Sequence, residues 1–211
     1  MTNIIRIIAS SIILLWSFSA KAEFQYGIGG LFGQVSTDGT ETEGTAPDTS
    51  DRSKSFEELF VGADLFVEFI SDSYTIGLSY VPFDVELGSG SRTDNNGDDP
   101  AENDDGTRTA SADLTDFYTL YANIPFGGGG MYTLLGYHFA TVETAETLNE
   151  SSYGNVDVEG YQIGIGSRSG NIKYELSYSD FENIKINSTG GGTNSVSADA
   201  DTVQFRVSYG F

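Results

Sequence analysis

Few side chains in this chain could do chemistry, and their types narrow what that chemistry would be. There is one histidine, His138, and no cysteine, which removes disulfides, thiolate catalysis and cysteine-based zinc sites together. A catalytic His138 would need a nucleophile within hydrogen-bond reach. No serine close in sequence completes such a set, so His138 reads as a packed, hydrogen-bonded residue and no enzyme is expected. Five other ionisable residues, Asp64, Glu68, Lys173, Glu175 and Arg206, interrupt runs that otherwise alternate between apolar and small residues. Buried charges are costly unless paired, so their mixed signs predict a mutual network. Two readings of that network stand side by side: a polar plug, or a gate whose ion pairs rearrange to pass ions.

Carboxylates dominate the rest. Asp plus Glu number 31 against 10 Lys plus Arg, for a net charge of −21. Nucleic acid is excluded as a partner, because a phosphate backbone is bound by clustered cations. The tract "DNNGDDPAENDDG" places Asp94, Asp98, Asp99, Glu102, Asp104 and Asp105 at short spacing, and oxygen ligands of that kind suit calcium. It is not an EF-hand, since Asp99 stands where the turn glycine belongs and no Glu closes the loop. A solvated acidic loop or a weak divalent-cation site are the alternatives. No cofactor is expected.

The opening "MTNIIRIIASSIILLWSFSAKA" has one arginine, an apolar run from Ile7 to Phe18 and an A-x-A ending at Ala22. That is the pattern of a secretory signal peptide cleaved after Ala22. The run is short for a spanning helix, which needs roughly 20 apolar residues. Residues 1–22 are therefore expected to be removed, leaving one domain over 23–211.

The elements that must position the ionisable residues are strands. Period-two alternation predicts eight runs, near 23–36, 55–70, 74–87, 110–124, 131–144, 155–167, 171–183 and 199–211. Their separators alternate long and short, as in an up-and-down meander with both termini at the short-turn end. One face of each run is bulky and apolar: Leu59, Val61, Leu65 and Val67 in the second, Tyr174, Leu176 and Tyr178 in the seventh, Val203, Phe205, Val207 and Tyr209 in the eighth. The other face is Gly, Ser, Thr and Ala with the five ionisable residues, which suits a narrow interior better than a wet surface. Apolar-out and polar-in is the arrangement of a transmembrane β-barrel, and each run supplies the roughly 9–11 residues a tilted spanning strand needs. Tyr26, Tyr74, Tyr174 and Tyr209 fall toward the short-turn end of the apolar face, and Tyr80, Tyr118 and Tyr178 toward the other, as two interfacial belts require. Only the sixth run loses phase, near Glu159–Gly160, where a bulge is predicted. Of the 31 acidic residues, 26 lie in the long separators or on the strand ends beside them. The fold class is all-β, an eight-stranded antiparallel up-and-down transmembrane barrel.

The signal peptide, the eight runs with their loop rhythm and the closing "VQFRVSYGF" resemble the small outer-membrane barrels of Gram-negative bacteria, of the OmpA transmembrane domain and OmpX type. The resemblance covers residues 23–211. It implies a monomer in the bacterial outer membrane whose partners are lipid, lipopolysaccharide and the outer-membrane assembly machinery. Val207, Tyr209 and Phe211 match the C-terminal aromatic signal that this machinery reads. The soluble peptidoglycan-binding domain of full-length OmpA-type proteins has no counterpart in 23–211, and a tethering role is not expected. The implied role is structural or surface-interacting, with a small gated porin-like channel as the alternative and a lipid-modifying enzyme behind both. Bridging of the acidic loop to lipopolysaccharide phosphates through divalent cations belongs to the same set of expectations.

Overall fold

The computed structural model describes residues 23–45, 48–94, 106–147, 152–189 and 194–211. The expected signal peptide and most of the acidic tract lie outside these described residues. Nine antiparallel strands follow in order: β1 (Glu23–Thr45), β2 (Asp48–Ile70), β3 (Thr75–Val81), β4 (Val85–Asp94), β5 (Gly106–Pro125), β6 (Met131–Glu146), β7 (Val156–Ser169), β8 (Ile172–Asn187) and β9 (Ser195–Gly210). All but β4 form a closed ring of eight, in which β1 pairs with both β2 and β9 and β3 joins β2 to β5. The third predicted run is thus two strands, interrupted at Pro82, which has no N–H to give a ladder. Beyond the break β4 pairs only with β5 and leans over the barrel mouth, where Leu87 packs into the interior.

The pairing fixes how steeply the strands run. Starting at Glu23 and stepping across partners gives Ile70, Thr75, Asn123, Leu134, Gly164, Ser177 and Gln204, and then returns to β1 at Gly33. The circuit closes ten residues farther along β1 than it opened. For eight strands a stagger of this size goes with a tilt of roughly 35–45°, at which a ten-residue run climbs about 25 Å. Short turns close the end that carries both described termini. At the β7–β8 turn, Gly170 takes a φ of 59° ahead of Asn171. Left-handed φ at the first central position is what a two-residue II′ hairpin demands and what an L side chain resists.

The polarity of the wall reverses with height. Along β8, Ile172, Tyr174, Leu176 and Tyr178 point outward and are exposed, while Lys173, Glu175, Ser177 and Ser179 are buried inside. One turn of the pattern higher, Asp180 and Glu182 are exposed and Phe181, Ile184 and Ile186 are buried. On β9 the same change separates Phe205 and Val203 from Asp201 and Asp199. The lower barrel is inside-out, and the upper barrel is an ordinary one around an apolar cap that includes Val35, Leu114, Val142, Val158, Phe181 and Ile184.

That reversal corrects one expectation. No bulge occurs at Glu159–Gly160, because the β6–β7 ladder runs without interruption through Phe139–Glu159 and His138–Gly160. Val158 faces the cap, whereas Ile163 and Ile165 face outward in the lower band. The apparent slip of phase is a strand crossing from one regime to the other. The irregularities are instead at Glu86/Gly88, Thr115/Tyr118 and Phe181/Ile184, all on the loop side. At the second, Asp116 adopts a φ of 49°, and β5 switches from Leu114 inward above to Thr119 and Tyr121 inward below.

Aromatic side chains gather at both ends of the outward apolar band. Phe211 stacks on Tyr26 at 5.9 Å and meets Tyr209 edge-on at 5.2 Å, and the Phe211 N–H donates to the Tyr26 carbonyl. At the upper rim Tyr80 stacks on Tyr118 at 4.6 Å, and Tyr137 and Tyr161 meet edge-on at 5.0 Å. The cap should hold the upper barrel together much as a soluble core does. Phe181→Ala is expected to lower unfolding stability in detergent micelles by about 3–5 kcal/mol. Leu176→Ala, which gives up contacts to detergent rather than to a core, should lower it by less in the same denaturant titration; equal losses would mean the cap is not a packed core.

Candidate functional site

The five ionisable residues picked out in the sequence converge inside the lower barrel. Asp64 and Glu68 reach in from β2, Lys173 and Glu175 from β8, and Arg206 from β9. Arg206 lies between two carboxylates: Nη1 donates to Glu175 Oε2 at 2.6 Å, and Nε donates to Asp64 Oδ1 at 3.2 Å. Its Nη2 stands 2.6 Å from Asp64 Oδ2, an ion pair without hydrogen-bond alignment. Lys173 Nζ donates to Glu68 and lies 3.9 Å from Glu175, linking the two halves of the network.

Three further groups complete it, none of them evident from alternation alone. Arg168, near the lower end of β7, donates to Glu68 and to Gln25 Oε1 at 3.0 Å. Tyr121 donates its hydroxyl to Glu68 at 2.9 Å, and Tyr132 donates to Glu175 at 2.8 Å. Phe66 provides a face for both cations, with Lys173 Nζ 4.4 Å and Arg206 Cζ 5.0 Å from the ring centroid. The sequence set of three acids and two bases carried a surplus negative charge. With Arg168 the lumen holds three of each, so the network is neutral. Glycine makes room for it: a Cβ at Gly29 would lie 2.1 Å from Asp64 Oδ1 and 2.8 Å from Arg206 Nε.

His138 sits above the network and below the cap. Its Nδ1 is 2.8 Å from Thr119 Oγ1 and its Nε2 is 2.9 Å from Ser179 Oγ, while Phe181 stacks on the ring at 5.4 Å. The fold thus supplies a serine that sequence proximity did not, 41 positions away. A serine–histidine contact is half of a nucleophilic set, but the third place is held by a threonine rather than a carboxylate. Both residues are 2% exposed. The adjoining cavity, bordered by Asp64, Gln162, Gln204 and Arg206, measures about 30 Å³, which is room for a water or two rather than a substrate.

The remaining sequence candidates separate. Val207, Tyr209 and Phe211 lie on the outer face at the lower rim, all exposed. Asp94 ends β4 opposite Gly106, whereas Asp98, Asp99, Glu102, Asp104 and Asp105 lie outside the described residues. Among the described residues, no three His, Cys, Asp or Glu side chains converge to hold a metal. Carboxylates are set against each other at Asp38–Asp199, Asp180–Asp201 and Asp113–Glu143 across the upper ladders. At the loop end Tyr153 donates to Glu41 at 2.9 Å, and burial together with that carboxylate pushes the phenol pKa well above its usual value.

Two outcomes follow from this geometry. Lys173→Met strips Glu68 of a buried partner and should cost about 3–5 kcal/mol of stability. Lys173→Met with Glu68→Gln should recover most of that in denaturant unfolding, and no recovery would mean the charges are not coupled. A fluorophosphonate serine probe should leave the folded barrel unlabelled; labelling at Ser179 that vanishes in His138→Ala would make the pair catalytic.

No protein-family model matches the chain, and no curated protein does. Among solved structures it is similar to the outer membrane protease OmpT from Escherichia coli, at 8% identity over 91% of this chain and 99% of that one, with a TM-score of 0.52. It is more distantly similar to Neisserial surface protein A (10% identity, 87% and 97% covered, TM-score 0.35). A comparable likeness is to the attachment invasion locus protein Ail of Yersinia pestis (10% identity, 85% and 98% covered, TM-score 0.34). Identities this low carry the architecture and nothing finer: the chain has the β-barrel fold of bacterial outer-membrane proteins.

Proposed function

We propose that this is an integral outer-membrane barrel with a structural or surface-interaction role, closed to solutes, which presents an acidic face outside the cell. The observation that carries the reading is the reversal of wall polarity. Among the described residues nothing covers an outward band of Ile28, Phe32, Leu65, Ile163, Leu176 and Phe205, and an apolar outer wall around a polar lumen is what a lipid-facing barrel carries. Lipid and lipopolysaccharide are then the first partners, and the exposed Val207, Tyr209 and Phe211 would be read by the assembly machinery. The loop end, with its acidic ladders, would face outward.

Closure is supported by two barriers in series. A gate that worked by rearranging ion pairs would still meet the cap above it, whose Val, Leu, Phe and Ile side chains give a passing ion no hydration. We therefore favour the plug over the channel, and the enclosed His138–Ser179 pair gives an enzyme little support.

The decisive measurements are fractionation and conductance. The protein should be recovered in the outer-membrane fraction and show a heat-modifiable gel shift, and recovery wholly in the soluble periplasm would refute the proposal. In planar bilayers both the native chain and Arg206→Ala should give negligible conductance; currents that appear in the variant would revive the gate.

A further inference from the structure

β2 is 23 residues long, and β1 pairs with it from end to end. On its other side β3 covers only Leu65–Ile70. Among the described residues, no strand hydrogen-bonds that side of residues 49–64. β4 passes nearby without pairing: a Cβ added at Gly88 would lie 3.5 Å from the Phe56 ring, and one at Gly90 3.9 Å from Lys54 Nζ. The missing neighbour shows in the exposure of the outer face: Val61 is 82% and Leu59 71% exposed, against 53% for Phe32, which lies beside Val61 on the doubly paired β1.

Exposed strand edges are usually blunted by proline, bulges or inward charges. This one has no proline and its register against β1 is unbroken, so its charges, chiefly Glu57 and Glu58, decide which partner strand it accepts. Its outer face alternates Glu57, Leu59 and Val61, with Glu58 also exposed. Asp38 on β1, paired with Ser55, lies opposite Asp199 on β9, and Asp84 and Glu86 are exposed where the chain enters β4. Lys54, the nearest cation on the strand, is turned onto the Phe56 ring at 4.4 Å.

We propose that the free upper edge of β2, centred on Ser55–Val61, is a docking strand for an extended cationic peptide segment. Backbone hydrogen bonds to the open edge would supply affinity, and alternate side chains the selection. On the outward face Val or Ile would cover Leu59 and Val61, and on the other face Lys or Arg would meet Glu58, with Glu57 adding to the negative field beside them. The long-range field of a chain with a net charge of −21 steers cations to it and repels acidic segments. A second copy in the same membrane does not fit. Two barrels inserted the same way would present β2 edges that both run from the loop end downward and cross at roughly twice the strand tilt, near 80°. The inference rests on the surface-facing orientation proposed above for its biological meaning, but its binding chemistry does not.

The test uses the full barrel refolded in zwitterionic detergent micelles, with folding of each variant checked by the heat-modifiable gel shift. The probe is a short blocked peptide alternating Lys and Val, followed by fluorescence polarisation. It should bind, weaken with added salt, and lose about tenfold in affinity when alternate amides are N-methylated, the loss expected for one or two missing backbone hydrogen bonds. Glu57→Lys with Glu58→Lys should abolish binding of the Lys–Val peptide and admit a Glu–Val one. Equal binding of the methylated peptide, or a charge-reversed barrel that still prefers the cationic peptide, would overturn the proposal. A barrel that binds as expected yet fractionates in the periplasm would overturn only the outer-membrane reading.

Discussion

A strand whose outer face is covered in Phe, Tyr, Ile and Leu can send its N–H and C=O groups nowhere but sideways. In hydrocarbon each such group left alone costs several kcal/mol. Ring closure is therefore the requirement on which everything else in the lower barrel depends. It is met by the seven-residue β3, which joins β2 to β5 in the lower barrel. Above the band water can satisfy an edge, and closure lapses there. β3 ends, β4 departs over the mouth, and β2 continues with one side open.

The same closure sets the contents of the lumen. Eight strands with a ten-residue stagger enclose a space only as wide as their own side chains, so whatever points inward is removed from water. A lone carboxylate there would not stay ionised cheaply. The network answers with equal numbers of acids and bases and with phenols on Glu68 and Glu175, each of which accepts from more than one donor. Higher up, where strands emerge from the apolar band, the outer face can be hydrated. The interior can then revert to Val, Leu, Phe and Ile, and the charge moves outside.

How much of this was legible depended on whether a feature repeats every second residue. β8 and β9 were legible through the apolar band, since Tyr174, Leu176 and Tyr178 and then Val203, Phe205 and Val207 keep one parity there; their upper stretches, to Asn187 and from Ser195, lie in the cap, where the outward residues are polar. The inward acids and bases on β2, β8 and β9 followed from the same parity. Arg168 did not, because it lies beside a turn, where alternation gives way to "SRSGN" and a cation looks like ordinary loop chemistry. Tyr121 and Tyr132 carried an aromatic signal that elsewhere means the outer belt; only the bulge at Asp116 and the β5–β6 register turn them inward. Ser179 beside His138 is a matter of stagger across two strands, and stagger leaves no mark in a single sequence.

At Glu159–Gly160 the loss of apolar phase in the sequence reflects a change of surroundings, not of the backbone. Apolar residues do change parity there, from Ile163 and Ile165 to Val158. A bulge moves the backbone while the surroundings stay the same. Here the backbone keeps its register and the surroundings change, from lipid-like outside to cap-like inside. The two causes predict different partners for Gly160, and its pairing with His138 on one side and Phe181 on the other decides for the second. A parity change without a proline, glycine pair or acidic φ-positive residue nearby is then a marker of height in such barrels. It locates the upper boundary of the apolar band near Tyr161, level with the tyrosines of the neighbouring strands.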